Sequence, residues 1–187
     1  MRKPTAFLIL LLAASLMASE LERDVVMFGS IFSTAINASG KIPYRVSPFV
    51  VEDYGVFYFI HSPKMRGLRE RMARKFRKLP PQKRKEAVAK LQEKRGEIVQ
   101  RIREGIKKAI VAASRYGEVL KNVPDSYWLA FVFQSPRSIG SVSFPCMVVK
   151  VRMKDVRAFS RGKLSEEEFS RRIILPSIPE QTPPVKK

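Results

Sequence analysis

The sequence has little of the chemistry on which most enzymes and metal sites depend. Among its 187 residues there is one cysteine, one histidine and one tryptophan. The single cysteine, Cys146, excludes a disulfide within the chain, and no His or Asn stands near it in the sequence to activate a thiolate, so we expect an inert, buried thiol. One histidine, His61, is too few for the usual ligand sets of zinc sites. Phosphate-binding glycine motifs and the nucleophilic-serine motif are missing too. The sequence therefore predicts no metal, no cofactor and no catalytic residues.

Acidic residues are also scarce. The chain has 17 Asp and Glu against 36 Lys and Arg, which gives a net charge of +19. Such an excess points to negatively charged partners and says nothing about the fold. Hydrophobic residues make up 45% and aromatic residues 10% of the chain, a composition that excludes wholesale disorder. A chain of this length is expected to form one domain.

The N-terminus has the pattern of a secretory signal peptide. Arg2 and Lys3 precede an apolar run from Ala6 to Ala18, and the polar sequence ELERD follows. This run is too short to cross a bilayer, which takes about 20 residues. We expect a signal peptide over residues 1–19 and export to the periplasm or cell envelope, with an uncleaved N-terminal anchor as the alternative.

Four apolar segments predict a sheet made of two hairpins. The first hairpin covers residues 42–61, with an edge strand that contains two prolines and a turn at Gly55, where a positive φ is expected. Its second arm, 56–60, is apolar on both faces and is expected to be central, as is 126–134. Residues 146–154 alternate between apolar and polar side chains and predict the second edge strand. The fold class is therefore α+β, with a four-stranded, mostly antiparallel sheet covered by one long helix and terminal helices.

Two terminal regions predict helices that complete this cover. An apolar stripe through Val25, Phe28 and Phe32 predicts a helix over 20–38. Near the C-terminus we expect a short helix over 154–160. A last helix follows, with Ser165 as N-cap and Glu168 three positions on, as in a capping box.

A basic helical region joins the two hairpins. We expect one helix from Ser62 to about Lys78 and a second over 82–120, whose apolar stripe includes Tyr116 and is densest from Ile98 onward. Thirty-nine helical residues span about 58 Å at 1.5 Å each, whereas a seven-residue strand spans about 23 Å. The long helix therefore overhangs the sheet, and residues 62–97 are predicted to project as an arm within a single domain over 20–175, followed by a flexible, proline-rich tail over 176–187.

This arm, residues 62–97, lies in the most basic part of the chain. From Lys64 to Lys108 there are 18 Lys and Arg against five Glu, a net charge of +13. Clustered cations bind polyanions by releasing counterions, and they adsorb to anionic membranes. The predicted anion-binding residues are Arg66, Arg69, Arg71, Arg74, Lys75, Arg77, Lys78, Lys83, Arg84 and Lys85.

An apolar stripe within the arm leaves two readings open. Met65, Leu68, Met72 and Phe76 share one face of the first helix, framed by arginines, as in an interfacial helix. The same stripe is also consistent with simple docking onto the long helix, with the charges solvated. The two readings are compatible.

Several short motifs occur in an order that resembles a loosely defined group of bacterial exported proteins. These motifs are the signal peptide, the LERDVVMF start, the YGVFYF strand, a charged helix and RGKLSEEEF at 161–169. The resemblance covers nearly all of the mature chain. It implies export, and no activity or site residue is assigned to the group.

The leading functional hypothesis is a non-enzymatic cell-envelope protein. Its basic arm would contact an anionic membrane surface, an acidic envelope polymer or an acidic protein, and non-specific nucleic acid binding is also possible. A scaffold or oligomerisation module, pairing through uncovered sheet surface, is the alternative. An enzyme with an unrecognised site ranks third.

Overall fold

The computed structural model describes residues 5–38, 43–62, 71, 74–133, 138–139, 142–143 and 146–176, with side chains from residue 20 onward except those of the short strands at 138–139 and 142–143. Residues 71 and 74–78 are helical. The named elements are α1 (Thr5–Ala38), β1 (Arg45–Val51), β2 (Gly55–His61), α2 (Pro81–Ser114), a 3₁₀ turn (Gly117–Leu120), β3 (Trp128–Phe133), β4 (Ser138–Ile139), β5 (Val142–Ser143), β6 (Met147–Arg152), α3 (Met153–Ser160) and α4 (Glu166–Arg172).

The main sheet has the strand order β1-β2-β3-β6, which confirms the α+β class and the central positions of β2 and β3. The pairs β1–β2 and β3–β6 are antiparallel, and the two hairpins join through a parallel β2–β3 pair. Parallel neighbours need a long crossover, and the basic helical region supplies it. The edge strand β1 contains Pro48, which has no N–H to donate to a second neighbour. At the first turn, Gly55 has φ 155° and Asp53 has φ 58°.

One face of this sheet, the inner face, carries the core. Helix α1 lies against it: the ring centroids of Phe28 and Tyr58 are 5.7 Å apart, and those of Phe32 and Phe131 are 4.5 Å apart. Gly29 allows this close approach, because a Cβ there would lie 3.3 Å from the Tyr58 ring. The Tyr58 hydroxyl donates to the Val25 carbonyl at 3.3 Å, and burial raises the pKa of this phenol. The predicted α1 stripe is confirmed.

Helix α1 begins earlier than expected. The sequence predicted a helix over 20–38, whereas the helix runs from Thr5 to Ala38 without a break. Residues 5–28 contain no Gly or Pro and are rich in Ala and Leu, so nothing local ends the helix between the apolar run and the domain. Among the described residues, no helix combines the length and the apolar character needed to cross a membrane. The signal peptide remains a prediction.

The long helix α2 ends earlier than predicted. It stops at Ser114 instead of continuing to 120, and a 3₁₀ turn follows at Gly117–Leu120. A Cβ at Gly117 would lie 2.7 Å from Val156 Cγ1, so the turn passes α3 at a distance that only glycine permits. Tyr116 was assigned to the apolar stripe, but its side chain is 59% exposed, because the helix has already ended there.

The C-terminal predictions are confirmed with one correction. Helix α3 ends at Ser160, and α4 has the predicted capping box: Ser165 accepts from the backbone of Glu168 and the Glu168 carboxylate accepts from that of Ser165. Cys146, however, is exposed and not buried. It directly precedes β6, where Met147 points inward, so alternation turns the thiol outward. The predicted tail falls, beyond Pro176, outside the described residues.

Candidate anion-binding surface

Eight of the ten predicted anion-binding residues fall in the described part of the chain, and all eight are exposed. The other two, Arg66 and Arg69, lie outside it, as do Met65, Leu68 and Met72 of the predicted apolar stripe. The fourth residue of that stripe, Phe76, is half-buried. The exposed cations occupy the helical segment 74–78, residue 71 and the first turns of α2.

One of these cations also has a structural role. The Nη2 atom of Arg84 donates to the carbonyls of Arg77 and Leu79, at 3.1 and 3.2 Å. These carbonyls lie at the C-terminal end of the helical segment 74–78, where no following turn supplies backbone N–H donors. Pro80 then breaks the chain direction before α2 begins at Pro81. Arg84 therefore fixes the junction of the two helical segments, while a guanidinium still has further N–H donors for a ligand.

Burial divides α2 into two halves. No residue from 81 to 98 is buried, and its buried side chains begin at Val99 and continue through Ile106 and Ile110. The first half is about 27 Å long at 1.5 Å per residue. Val88 and Leu91 on this half are partly buried against the edge of the core. The first half of α2 therefore contacts the domain through a narrow apolar stripe, and its other sides face solvent.

The arm segment from residue 74 to residue 97 carries more positive than negative charge. Between residues 74 and 97 the chain has ten Lys and Arg and three Glu. Ion pairs among the described residues include Arg101–Glu97, Arg115–Glu166, Arg157–Asp125, Arg161–Glu118, Arg171–Glu167 and Arg172–Asp155. Within that same part of the chain, Lys78, Lys83 and Lys85 have no carboxylate partner. These three lysines of the arm therefore present their charge to solvent.

Cations in the C-terminal region are used differently. Arg157 donates to the carbonyls of Leu120 and Lys121, at 2.9 and 3.0 Å, and pairs with Asp125. The hydrogen bond from Arg161 holds the pKa of Glu118 below its usual range. These arginines make hydrogen bonds and ion pairs that organise the chain after α2, whereas Lys78, Lys83 and Lys85 in the arm have no carboxylate partner among the described residues.

A mixed-charge groove lies between α2 and α4. It has a volume of about 390 Å³ and is lined by Lys107, Lys108 and Arg115 together with Glu104 and Glu166. The ion pair between Arg115 and Glu166, at 2.9 Å, uses one cation and one carboxylate of the lining.

In the described residues, no group of three His, Cys, Asp or Glu side chains could hold a metal ion.

Sequence reasoning missed a second surface, the face of the main sheet opposite the core, which we call the outer face. Phe49 and Phe57 are paired on it across β1 and β2, and Phe59 follows on β2. Tyr54 and Phe57 are stacked at 5.6 Å, and Phe57 and Phe59 at 6.4 Å. Because residues 56–60 of β2 are all apolar, the sequence indicated burial on both faces. The sequence feature that could have revealed this surface is the pair of Phe residues at positions 57 and 59, because alternate residues of a strand lie on the same face.

Cations stand across the outer face from these rings. Lys150 and Arg152 on β6 lie over the Trp128 ring on β3, at 4.8 and 3.7 Å from its centroid. The Nη1 atom of Arg152 also donates to the Ser126 carbonyl at 2.7 Å. The guanidinium is therefore held in place by a hydrogen bond and by a cation–π contact.

The chain matches no protein-family model, and neither a curated protein nor a solved structure shows significant similarity to it.

Proposed function

We propose that this protein is a non-enzymatic binding protein of the cell envelope, whose basic arm contacts an anionic polymer or an anionic membrane surface. The observation that supports the proposal is that Lys78, Lys83 and Lys85 are exposed and have no carboxylate partner among the described residues. A cation already paired with a carboxylate neutralises a charge of the polyanion less fully than a solvated cation does, and so displaces fewer of the counterions condensed on the polyanion. The predicted signal peptide supports the envelope location.

The partly buried stripe of the arm is compatible with this role. Val88 and Leu91 hold the first half of α2 against the domain, while Arg84 ties the preceding segment to it. Both contacts orient the arm and leave its lysines in solvent. A ligand then meets a partly ordered array of charges, which reduces the entropy lost on binding.

Matched lysine variants test the proposal. The arm variant carries Lys78→Gln, Lys83→Gln and Lys85→Gln, and the control carries Lys121→Gln, Lys154→Gln and Lys163→Gln. All six side chains are exposed, so both variants lose the same charge and keep the fold. On phosphatidylcholine vesicles that contain phosphatidylglycerol, each arm lysine is worth about 1 kcal/mol. The arm variant should lose about 3 kcal/mol of binding free energy, or roughly 150-fold in the partition coefficient.

The control variant and a heparin column complete the test. The control should bind vesicles nearly as well as the wild type and elute from heparin at nearly the same salt concentration, whereas the arm variant should elute earlier. Equal losses in the two variants would show that net charge acts alone, without a specific surface. Vesicle and heparin binding that does not change with salt would contradict the electrostatic basis of the proposal.

A further inference from the structure

The outer face of the sheet has an unusual composition for a solvent-facing surface. Antiparallel sheets commonly cover one face with a core and turn a polar face to water. Here the outward positions include Phe49, Phe57, Phe59 and Trp128, and Phe49 is 59% exposed. None of these four side chains belongs to the core cluster, which gathers the inner face and the helices. Phe57, Phe59 and Trp128 are half-buried beside Phe49, so the face exposes part of a contiguous aromatic patch, and such patches mark binding sites.

The charged groups on this face all have one sign. The outward positions of the four strands include Arg45, Lys150 and Arg152, and none of these positions is acidic. His61 pairs with Arg45 at the end of the sheet. Glu52 and Asp53 lie in the turn beyond one end of the aromatic residues. The face therefore combines rings with positive charge, and its charge is complementary to an anion.

The two kinds of side chain lie on different strands. The rings of Tyr54, Phe57 and Phe59 follow β2, whereas Lys150 and Arg152 lie on β6, two strands away. Between them, Ala130 on β3 pairs with Phe57 on one side and with Lys150 on the other, and its small side chain is buried. Two strand spacings make about 10 Å, so a ligand that meets both rows carries flat apolar groups on one side and negative charge on the other.

We propose that the outer face binds single-stranded nucleic acid, with bases stacked on the aromatic row of β2 and phosphates near the cations of β6. The ring centroids of Phe57 and Phe59 are 6.4 Å apart, which is close to twice the rise of about 3.4 Å between stacked bases. This distance fits a single strand whose successive bases are separated from one another. Stacking platforms beside a cationic groove are the arrangement by which proteins hold single strands without reading their sequence. This inference stands independently of the arm.

Other occupants fit the face less well. In a second copy packed face to face, Arg45, Lys150 and Arg152 would meet a surface with the same cations and no carboxylate at its strand positions, and such like-charge contacts are costly. A lipid surface would take the rings into the membrane, but it supplies no flat groups for stacking.

Trp128 makes the test direct, because it is the only tryptophan in the chain and lies on this face. Titration with oligothymidylate should quench its emission, because Trp128 on β3 lies between the aromatic row, where the bases stack, and the β6 cations, where the phosphates bind. Inorganic polyphosphate of similar charge has no bases and reaches only the cations, so it should quench the emission less than oligothymidylate does.

Variants separate this surface from the arm. Phe57→Leu and Phe59→Leu keep apolar bulk but remove a ring face, and each should weaken oligothymidylate binding by about 5- to 150-fold with an unchanged salt slope. Tyr116→Leu, at an aromatic residue that is 59% exposed elsewhere, should leave binding unchanged. The arm lysine variant should instead lower the salt slope by about 2, at about 0.7 for each phosphate contact, and keep the quenching at saturation.

Each of the following outcomes would overturn the proposal. Unchanged Trp128 emission with oligothymidylate, or equal quenching by polyphosphate, would show that bases do not reach the face. A blue shift with phosphatidylglycerol vesicles and no response to oligothymidylate would assign the face to a membrane. A shift in emission with protein concentration alone, together with a dimer in sedimentation, would assign it to a second copy. In all these cases the arm lysine variant still reports on the proposed function separately.

Discussion

Two glycines in α2 allow the same substitution to be compared in its exposed half and in its packed half. Gly96 lies in the half without buried residues, and Gly105 directly precedes the buried Ile106. A Cβ built at either position meets no atom within 4 Å. Alanine therefore introduces no clash at Gly96 or Gly105, and both substitutions gain the same helix propensity, about 1 kcal/mol.

The two variants should nevertheless behave differently. In Gly105→Ala the gain belongs to the cooperative core, so the free energy of unfolding should rise by about 1 kcal/mol and Tm by about 2–4 °C. In Gly96→Ala the gain belongs to a segment without buried residues, which touches the core only through partly buried side chains such as Val88 and Leu91, so it can open while the core stays folded and Tm should hardly change. Amide protection around residue 96 should instead rise about fivefold, the equivalent of 1 kcal/mol.

Calorimetry and hydrogen exchange of the two variants provide the measurement. Equal increases in Tm would show that the first half of α2 unfolds together with the core, and the reasoning from burial would be wrong. A fall in Tm for Gly105→Ala would show that the added methyl group disturbs the packing of α2 or the solvent beside it, although the space next to Gly105 is open.

Two further variants test the packing of the C-terminal region. Ser165→Ala removes the N-cap of α4 and should cost about 1 kcal/mol, seen as a lower Tm. The hydrogen bonds from Ser165 hold the pKa of Glu168 below its ordinary 4.5, so their contribution to stability is present above pH 4.5 and lost as pH falls through the folded-state pKa. Ser165→Ala removes only the hydroxyl hydrogen bond and keeps the one from the backbone N–H, so the Tm difference between wild type and Ser165→Ala should shrink partly in acid, and a constant difference would show that the hydroxyl does not stabilise the Glu168 carboxylate. Gly117→Ala places a Cβ 2.7 Å from Val156 Cγ1 and should cost about 1–3 kcal/mol by overpacking; a neutral effect would show that the 3₁₀ turn can move away from α3.

Features that depend on neighbouring residues in the chain were predictable. The capping box at Ser165 and Glu168 needs only four consecutive residues, and it forms as predicted. The stripe of Val25, Phe28 and Phe32 follows from helical periodicity, and all three side chains are buried. In both cases the geometry of the helix itself fixes which side chains share a face.

Features that depend on the position of distant elements were not predictable from the same patterns. Tyr116 fitted the stripe of α2, but the close passage of Gly117 and Val156 ends the helix first. The parallel pairing of β2 and β3 depends on the path of the crossover, which strand composition does not record. Phe57 and Phe59 read as core residues, because a strand that is apolar on both faces gives no indication of which face will be covered.

The sequence by itself determined the elements, the strong local excess of positive charge and the amphipathic face of each helix, because these depend on residue type and on spacing along the chain. Only the tertiary structure decided that α1, α2, α3 and α4 bury side chains in the core on one sheet face, so that rings and cations share the other, and that Lys78, Lys83 and Lys85 have no carboxylate partner among the described residues. Burial and charge pairing depend on distances between residues far apart in sequence, and those distances exist only once the chain has folded.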